Sequence, residues 1–432
     1  MPEEAFKKAL LLLNSVSESA PLSLEEKQQL SVELASLLMQ AAFRIFPENR
    51  RKKYLRMVKC VQDLGQRALV FNLIDNTFRV KNSKKNACYL LSLIEQYKIA
   101  PLLHFRTRLK LLAFKLLAKK LPVFCVGMLK KEIYKELSYA VVCEKKTYLL
   151  NRLKEITLPI NLAHLNEKVL SKEEAQKNLQ RYLSYLLDDT ISCVSLKASA
   201  ISSDISFLDL QASVDSIAQS LKELYQAAGL RKERPKMVFL EMENYHFLLP
   251  TLRAFQKALE AFPNLEAGIT LQAYLPESFA FQEELTAWAR ARVEKGGAPI
   301  HLCLVKGAYL GLEQITASKK GWPQAPFTSK IQTDANYTRM LNFGLKPNTA
   351  PFVHITVATH NIFEIAYSLL LTFENRLQKH VFFQTIKGQS DHIGYALNKL
   401  LPGSFRFYLA AVEEEEFAAS IPYAIRRLEE FT

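Results

Sequence analysis

Two groups of residues in this sequence have types and spacings that could do chemistry. The first are polar residues at the ends of short apolar runs: Lys197; Glu241 and Glu243; Gln272 and Tyr274; Lys306, Gly307 and Tyr309; Thr359, His360 and Asn361; Gln384; and Tyr408 within the last run. The second lie near the end of the chain. There Tyr423, Arg427 and Glu430 stand at i, i+4 and i+7 and share a helical face, with Arg426 beside them. Adjacent arginines form a fork suited to a carboxylate or phosphate. One polar strand end is ordinarily a satisfied structural group, but so many together point to a shared site. Most are hydrogen-bonding or cationic groups, which suits holding a polar, anionic ligand. No nucleophile elbow, H-E-x-x-H pattern or metal-ligand spacing occurs, so no metal is expected.

The elements that must position these residues change near residue 156. Before it, apolar residues recur at helical spacing, as in Leu30–Phe46 and Ala87–Tyr97. Ser23 and Glu26 have the spacing of a capping box, and Pro101 and Pro122 punctuate later helices. After it, eight short runs rich in β-branched and aromatic residues read as strands: Leu158–Leu165, Ser192–Ser199, Met237–Glu243, Ala267–Tyr274, Ile300–Gly307, Phe352–Thr359, His380–Ile386 and Arg406–Val412. Helical patterns lie between them, for example Leu208–Ala228, Phe247–Ala261 and Ile362–Leu377. Eight strands alternating with helices is the count of a (βα)8 TIM-type barrel, whose chemistry sits at the C-terminal ends of the strands. An open doubly wound sheet would carry a glycine-rich first turn, and neither G-x-G-x-x-G nor a phosphate-binding loop is present. The expectation is an all-helical N-terminal domain over residues 1–155 and a barrel over 156–432.

At 432 residues and 49% hydrophobic content the chain can bury a large core, which excludes disordered and collagen-like classes. No run reaches the ~18 apolar residues of a membrane span, and the first twenty residues do not read as a secretory signal. Six scattered cysteines without a C-x-x-C pair suit a reducing cytoplasm. The net charge of +14 is uneven. Residues 51–150 hold 22 Lys and Arg against 6 Asp and Glu, a balance of +16, which leaves −2 for the rest. Such a region suits an anionic partner, either a phospholipid surface or nucleic acid, or else forms a solvated helical face. It lacks an aromatic-basic RNA motif and a helix-turn-helix signature, so nucleic acid is not an expected partner.

Taken in order, the motifs resemble those of the proline dehydrogenase family, in particular the N-terminal half of bifunctional proline utilization A proteins. They are Val194-Ser-Leu-Lys-Ala-Ser-Ala-Ile201, Leu240-Glu-Met-Glu-Asn-Tyr245, Leu271-Gln-Ala-Tyr274, Leu304-Val-Lys-Gly-Ala-Tyr309, Thr333-Asp-Ala-Asn-Tyr337, Ala358-Thr-His-Asn361 and Tyr423-Ala-Ile-Arg-Arg-Leu-Glu-Glu430. Each is weak alone, whereas the ordered set is specific and covers residues 156–430. The resemblance implies an FAD-binding barrel that oxidises L-proline to pyrroline-5-carboxylate and passes electrons to a membrane quinone. It further implies a cytoplasmic protein held peripherally at the inner face of the membrane, with a separate pyrroline-5-carboxylate dehydrogenase taking the product. By resemblance, Arg426 and Arg427 clamp the proline carboxylate, Lys197 and Glu241 lie beside the substrate, and Tyr408 and Tyr423 wall its ring. Gln272, Cys303, Lys306, Gly307, Ala308, Tyr309, Thr359, His360, Asn361 and Gln384 line the FAD site, with Lys330 and Glu430 as outer contacts.

Five positions depart from the family pattern. Cys303 stands where the family usually carries an arginine near the flavin, and Glu241 replaces an aspartate. Ala410-Ala411 replaces Pro-Val, and Phe431 replaces an asparagine. A cation near the flavin stabilises negative charge on its reduced form, which a neutral thiol does not. Cys303 is therefore expected to weaken catalysis rather than the fold. The alternative reading is an impaired or inactive relative whose barrel binds a ligand or a partner.

Overall fold

The computed structural model describes residues 2–97, 105–137, 141–144, 146–165, 168–206, 208–230, 233 and 235–429. Packing divides the chain into two units. The first comprises residues 1–45, 156–385 and 390–408, and the second residues 46–155, 386–389 and 409–432. This division differs from the expected cut at 155/156, because residues 1–45 pack with the barrel.

Nine strands are present among the described residues: β1 (Val141–Cys143), β2 (Ile160–His164), β3 (Cys193–Lys197), β4 (Met237–Glu241), β5 (Gly268–Gln272), β6 (Ile300–Val305), β7 (Val353–Ala358), β8 (Val381–Ile386) and β9 (Phe405–Val412). Strands β2 to β8 run side by side in chain order, and β9 pairs with both β2 and β8, so β2–β9 close into an eight-stranded barrel. The ladders between β2 and β8 are parallel. The expected (βα)8 barrel is therefore the fold. Its strands are buried on both faces, as parallel strands covered by helices must be, which is why they read as apolar runs rather than alternating ones.

Several observed strands stop short of the apolar runs that predict them. After Lys197 the backbone turns into a helical segment, Ala198–Ile201, and after Glu241 and Val305 it leaves the sheet. The polar residues at these ends thus stand where loops begin. The intervening helices start at side-chain caps. Ser171 Oγ accepts from the Glu174 amide at 3.2 Å, an Asp209 carboxylate oxygen from Ala212 at 2.9 Å, and Asn361 Oδ1 from Phe363 at 3.0 Å.

In the same unit, helix Leu24–Ile45 packs on helices Ile362–Glu374 and Asp391–Leu400. The capping box is formed: Ser23 N donates to Glu26 Oε2 at 2.8 Å, and Glu26 N to Ser23 Oγ at 3.2 Å. Two further bonds reach Glu374, from the Leu22 amide at 2.8 Å and from Lys27 at 3.0 Å.

The second unit is mainly helical, with β1 paired in parallel to Ala410–Val412. Pro122 begins helix Pro122–Leu137, as proline at a first helical position should. Pro101 lies outside the described residues. The aromatic rings of Phe78 and Tyr134 pack on Phe417 at 5.5 and 4.5 Å. No helix among the described residues is long and apolar enough to cross a membrane.

Candidate active site

Register places Lys197 at the end of β3 directly beside Glu241 at the end of β4. Both side chains are half-buried. Glu241 is hydrogen-bonded to Tyr408 of β9 and to Ser195 of β3, and Lys197 to Tyr309 in the loop after β6. The sequence-expected residues Lys197, Glu241, Tyr309 and Tyr408 thus form one cluster, drawn from the C-terminal ends of β3 and β4, the loop after β6 and the middle of β9. Tyr309, expected among the FAD contacts, is here bonded to the lysine. Buried Glu243 supports the cluster from behind: its carboxylate accepts from the Ser199 amide at 3.0 Å and from Ser199 Oγ at 2.5 Å.

The electrostatics of this cluster follow from burial and charge count. Desolvation raises the proton affinity of Glu241, and the neighbouring Glu243 adds to it. Lys197 and the hydrogen bonds from Tyr408 and Ser195 oppose the rise without cancelling it. Burial alone would lower the Lys197 pKa. The partners Tyr309, Glu241 and Glu243 more than offset that, so its net pKa is raised.

A second network lies at the ends of β6 and β7. Lys306 Nζ contacts Asp334 at 2.5 Å and also pairs with Glu364, and Lys330 pairs with the other oxygen of Asp334. Glu364 accepts from Thr359 Oγ1 at 2.6 Å, and Thr359 Oγ1 in turn accepts from the Asn361 amide at 3.1 Å. Burial works against the charge of Lys306, but Asp334 and Glu364 outweigh it and raise its pKa. Asp334 and Glu364 were not singled out as site residues from the sequence. The acidic residue of the Thr333–Tyr337 motif was the available signal for the first.

Gly307 joins the two networks. Its φ is +134°, and a Cβ there would lie 2.5 Å from the Tyr274 ring. That ring is buried and held by the Tyr274 amide, which donates to the Lys306 carbonyl at 2.7 Å. Only glycine lets the chain pass this close, and the passage sets Lys306 on one side and Ala308 and Tyr309 on the other. Ala308 is exposed and His360 is half-buried in the loop after β7.

Other candidates sit deeper. Gln272 is 1% exposed, and its Oε1 has no hydrogen-bond partner. Gln384 on β8 accepts from Asn161 Nδ2 of β2 at 3.1 Å, while Asn161 Oδ1 and Thr356 Oγ1 are buried and unpartnered. Unsatisfied buried acceptors and hydroxyls of this kind are unusual in a finished interior and fit a polar ligand. Cys303 belongs to an apolar cluster with Cys193 and Phe239, flanked by Met237, Val305 and Ala358. Burial, with nearby Glu241 adding to it, pushes its thiol up to about 12, so it is neutral.

The remaining expected residues are in the second unit. Helix Ile421–Glu429 carries Tyr423, Arg426 and Arg427. The Arg427 guanidinium lies 5.2 Å from the Tyr423 ring centroid, which confirms their shared helical face, and the Arg427 carbonyl accepts from Gln389 Nε2 at 2.8 Å. Arg426 is exposed. Glu430 lies outside the described residues.

Comparison with known proteins agrees with these motifs. Residues 147–432 match the family "Proline dehydrogenase". A hydroxyproline dehydrogenase of Bos taurus is 28% identical over 172 residues, covering 37% of this chain and 34% of that protein. Proline utilization A from Corynebacterium freiburgense superposes with a TM-score of 0.65 at 31% identity, covering 73% of this chain and 33% of that one. The structure of proline utilization A from Bdellovibrio bacteriovorus inactivated by N-propargylglycine gives a TM-score of 0.74 at 22% identity, covering 93% and 41%. The chain therefore spans between a third and half of the length of these relatives. The barrel, the ordered motifs and a family match over most of the chain make this protein a member of the proline dehydrogenase family.

Proposed function

We propose that this protein is an FAD-dependent dehydrogenase that oxidises L-proline to pyrroline-5-carboxylate. The observation that carries the reading is the Lys197–Glu241–Tyr309–Tyr408 cluster, beside the Gly307 passage. The residues present fit the cofactor. Gln272, Thr356 and Asn161 offer buried polar atoms without protein partners, and Lys306 and Lys330, paired here with Asp334 and Glu364, are the cationic candidates for its pyrophosphate. Thr359, His360, Asn361 and Gln384 are the further candidates to line it. When bound, FAD accepts two electrons from the amine substrate. Glu241, with its raised proton affinity, is suited to take the proton that the proline amine loses. Lys197 keeps its charge and supplies an ammonium for the substrate carboxylate. Tyr408, bonded to Glu241, is the proposed ring wall.

The neutral, enclosed Cys303 supports the second reading, an impaired relative that binds ligand without efficient turnover. One experiment separates the two: an absorbance spectrum of the purified protein before and after anaerobic addition of L-proline. Flavin bands that bleach support the enzyme. Flavin bands that persist support the impaired relative, and a protein without flavin after reconstitution with FAD refutes the enzyme.

The electron acceptor is proposed to be a membrane quinone, reached by peripheral binding to anionic lipid at the cytoplasmic face. The second unit supports this with an exposed apolar stripe, Phe105, Leu109, Leu112 and Leu116, at i, i+4, i+7 and i+11 of helix Phe105–Leu117, within the basic region. Each Lys or Arg near such a surface contributes about 1 kcal/mol, and salt screens it. Co-sedimentation with phosphatidylserine vesicles should fall with salt and with Leu112→Ser or Leu116→Ser. Indifference to lipid charge would refute the docking surface. A separate pyrroline-5-carboxylate dehydrogenase is the partner expected to take the product.

A further inference from the structure

Glu266, His301 and His354 converge at the N-terminal end of the barrel, opposite the strand ends that carry Lys197 and Glu241. Glu266 stands two residues before β5, His301 is the second residue of β6, and His354 is the second residue of β7. Parallel register sets His301 directly beside His354, and Gly268 beside His301. One donor atom from each of the three side chains lies within 4.8 Å of the other two. His301 Nε2 is 2.8 Å from Glu266 Oε2, and the two imidazole centroids are 4.9 Å apart.

Nothing in the active-site chemistry uses this cluster, and hydrogen bonding does not complete it. His301 is 2% exposed, yet its Nδ1 has no partner, and His354 Nδ1 is likewise buried and unpartnered. A ring nitrogen left so in the interior forfeits the bond it had with water. Glu266 keeps 42% of its side chain exposed, which leaves an entry path from solvent.

We propose that Glu266, His301 and His354 form a binding site for one divalent transition-metal ion of the zinc class, tying β5, β6 and β7 together at the base of the barrel. Two imidazoles and one carboxylate are a recurrent zinc donor set, with a fourth position left for water. Tetrahedral bonds of about 2.0–2.1 Å require donors about 3.3 Å apart. A positive charge faces the cluster: Arg406 of β9 stacks 5.1 Å from the Phe382 ring, which lies 5.2 Å from His301. Glu266 offsets that charge, so affinity rests on nitrogen coordination. This favours zinc, nickel or copper over magnesium or calcium. Chemistry at the N-terminal face of such barrels is rare, and the ion is assigned a stabilising role.

The test uses the untagged full-length chain. Equilibrium dialysis against micromolar Zn2+ should give one ion per chain, and the melting temperature should rise by several degrees with Zn2+ but not with Mg2+. Cobalt substituted as a probe should show visible ligand-field bands. His354→Gln and Glu266→Gln should each weaken binding at least tenfold and abolish the melting shift, whereas His246→Gln, at a histidine outside the cluster, should change neither. Absence of saturable Zn2+ binding to the wild-type chain would overturn the proposal, as would binding that survives both substitutions. If both variants fail to fold, the wild-type cobalt spectrum decides, and a spectrum without ligand-field bands counts against the site.

Discussion

Replacing Gly307 by alanine tests whether the passage beside Tyr274 positions the site. Two costs follow from the geometry. At φ +134° an L-residue is held in a backbone region it avoids, which costs about 1–3 kcal/mol. The added methyl would also lie 2.5 Å from a ring that is 3% exposed and cannot retreat, an overpacking worth about 1–3 kcal/mol. The loop can relieve both by swinging away from Tyr274, because Gly307 and Ala308 are exposed. That movement carries Lys306 and Tyr309 with it, so the loss is expected in function more than in stability. A displacement of about 1 Å in such a site costs on the order of 10²-fold in rate. The expected result for Gly307→Ala is kcat/KM for dye-coupled proline oxidation reduced about 100-fold, with a fall of only a few degrees in Tm. Unchanged kcat/KM would show that this passage does not position the reacting groups.

Three further outcomes follow. Tyr408→Phe removes a hydrogen bond that lowers the Glu241 pKa, so the acidic limb of the pH–rate profile should move to higher pH; an unmoved limb would remove Glu241 from the proton-accepting role. His392 is 1% exposed, and burial lowers its pKa to about 4, against 6.5 when free. Its folded-state pKa is depressed, so the unfolded chain takes up the proton first. Stability is then complete above about pH 6.5 and lost as pH falls toward 4, by at most ~3 kcal/mol. Urea unfolding of His392→Gln should show a shallower loss over that interval, and a slope identical to wild type would contradict the assignment. Cys303→Arg places a guanidinium in the enclosed cluster with Cys193 and Phe239, so Tm should fall by several degrees through overpacking and charge burial. An unchanged Tm would instead bear out the expectation from sequence that this position affects catalysis and not the fold.

The barrel was legible because parallel strands buried on both faces must be apolar, and the chain marks each with a β-branched run followed by a polar residue. The register Lys197–Glu241 follows from strands of equal length starting at the same level, so the polar ends could be grouped from sequence alone. What could not be read were consequences of closure. Glu364 lies on a helix with no motif of its own, and it meets Lys306 only because β6 and β7 are neighbours. The short strand Val141–Cys143 has no period of its own and acquires one by pairing with Ala410–Val412. The Glu266–His301–His354 cluster was invisible for the same reason. Metal motifs are recognised by spacing along one segment, whereas these ligands are 35 and 53 residues apart and meet only through the ladder. Cys303 is the instructive case. Its departure from the family pattern was legible as a lost cation, but its neighbours were not. In the closed barrel the question becomes whether there is room for a charge at all. A thiol packed against Phe239 answers a steric demand of this interior.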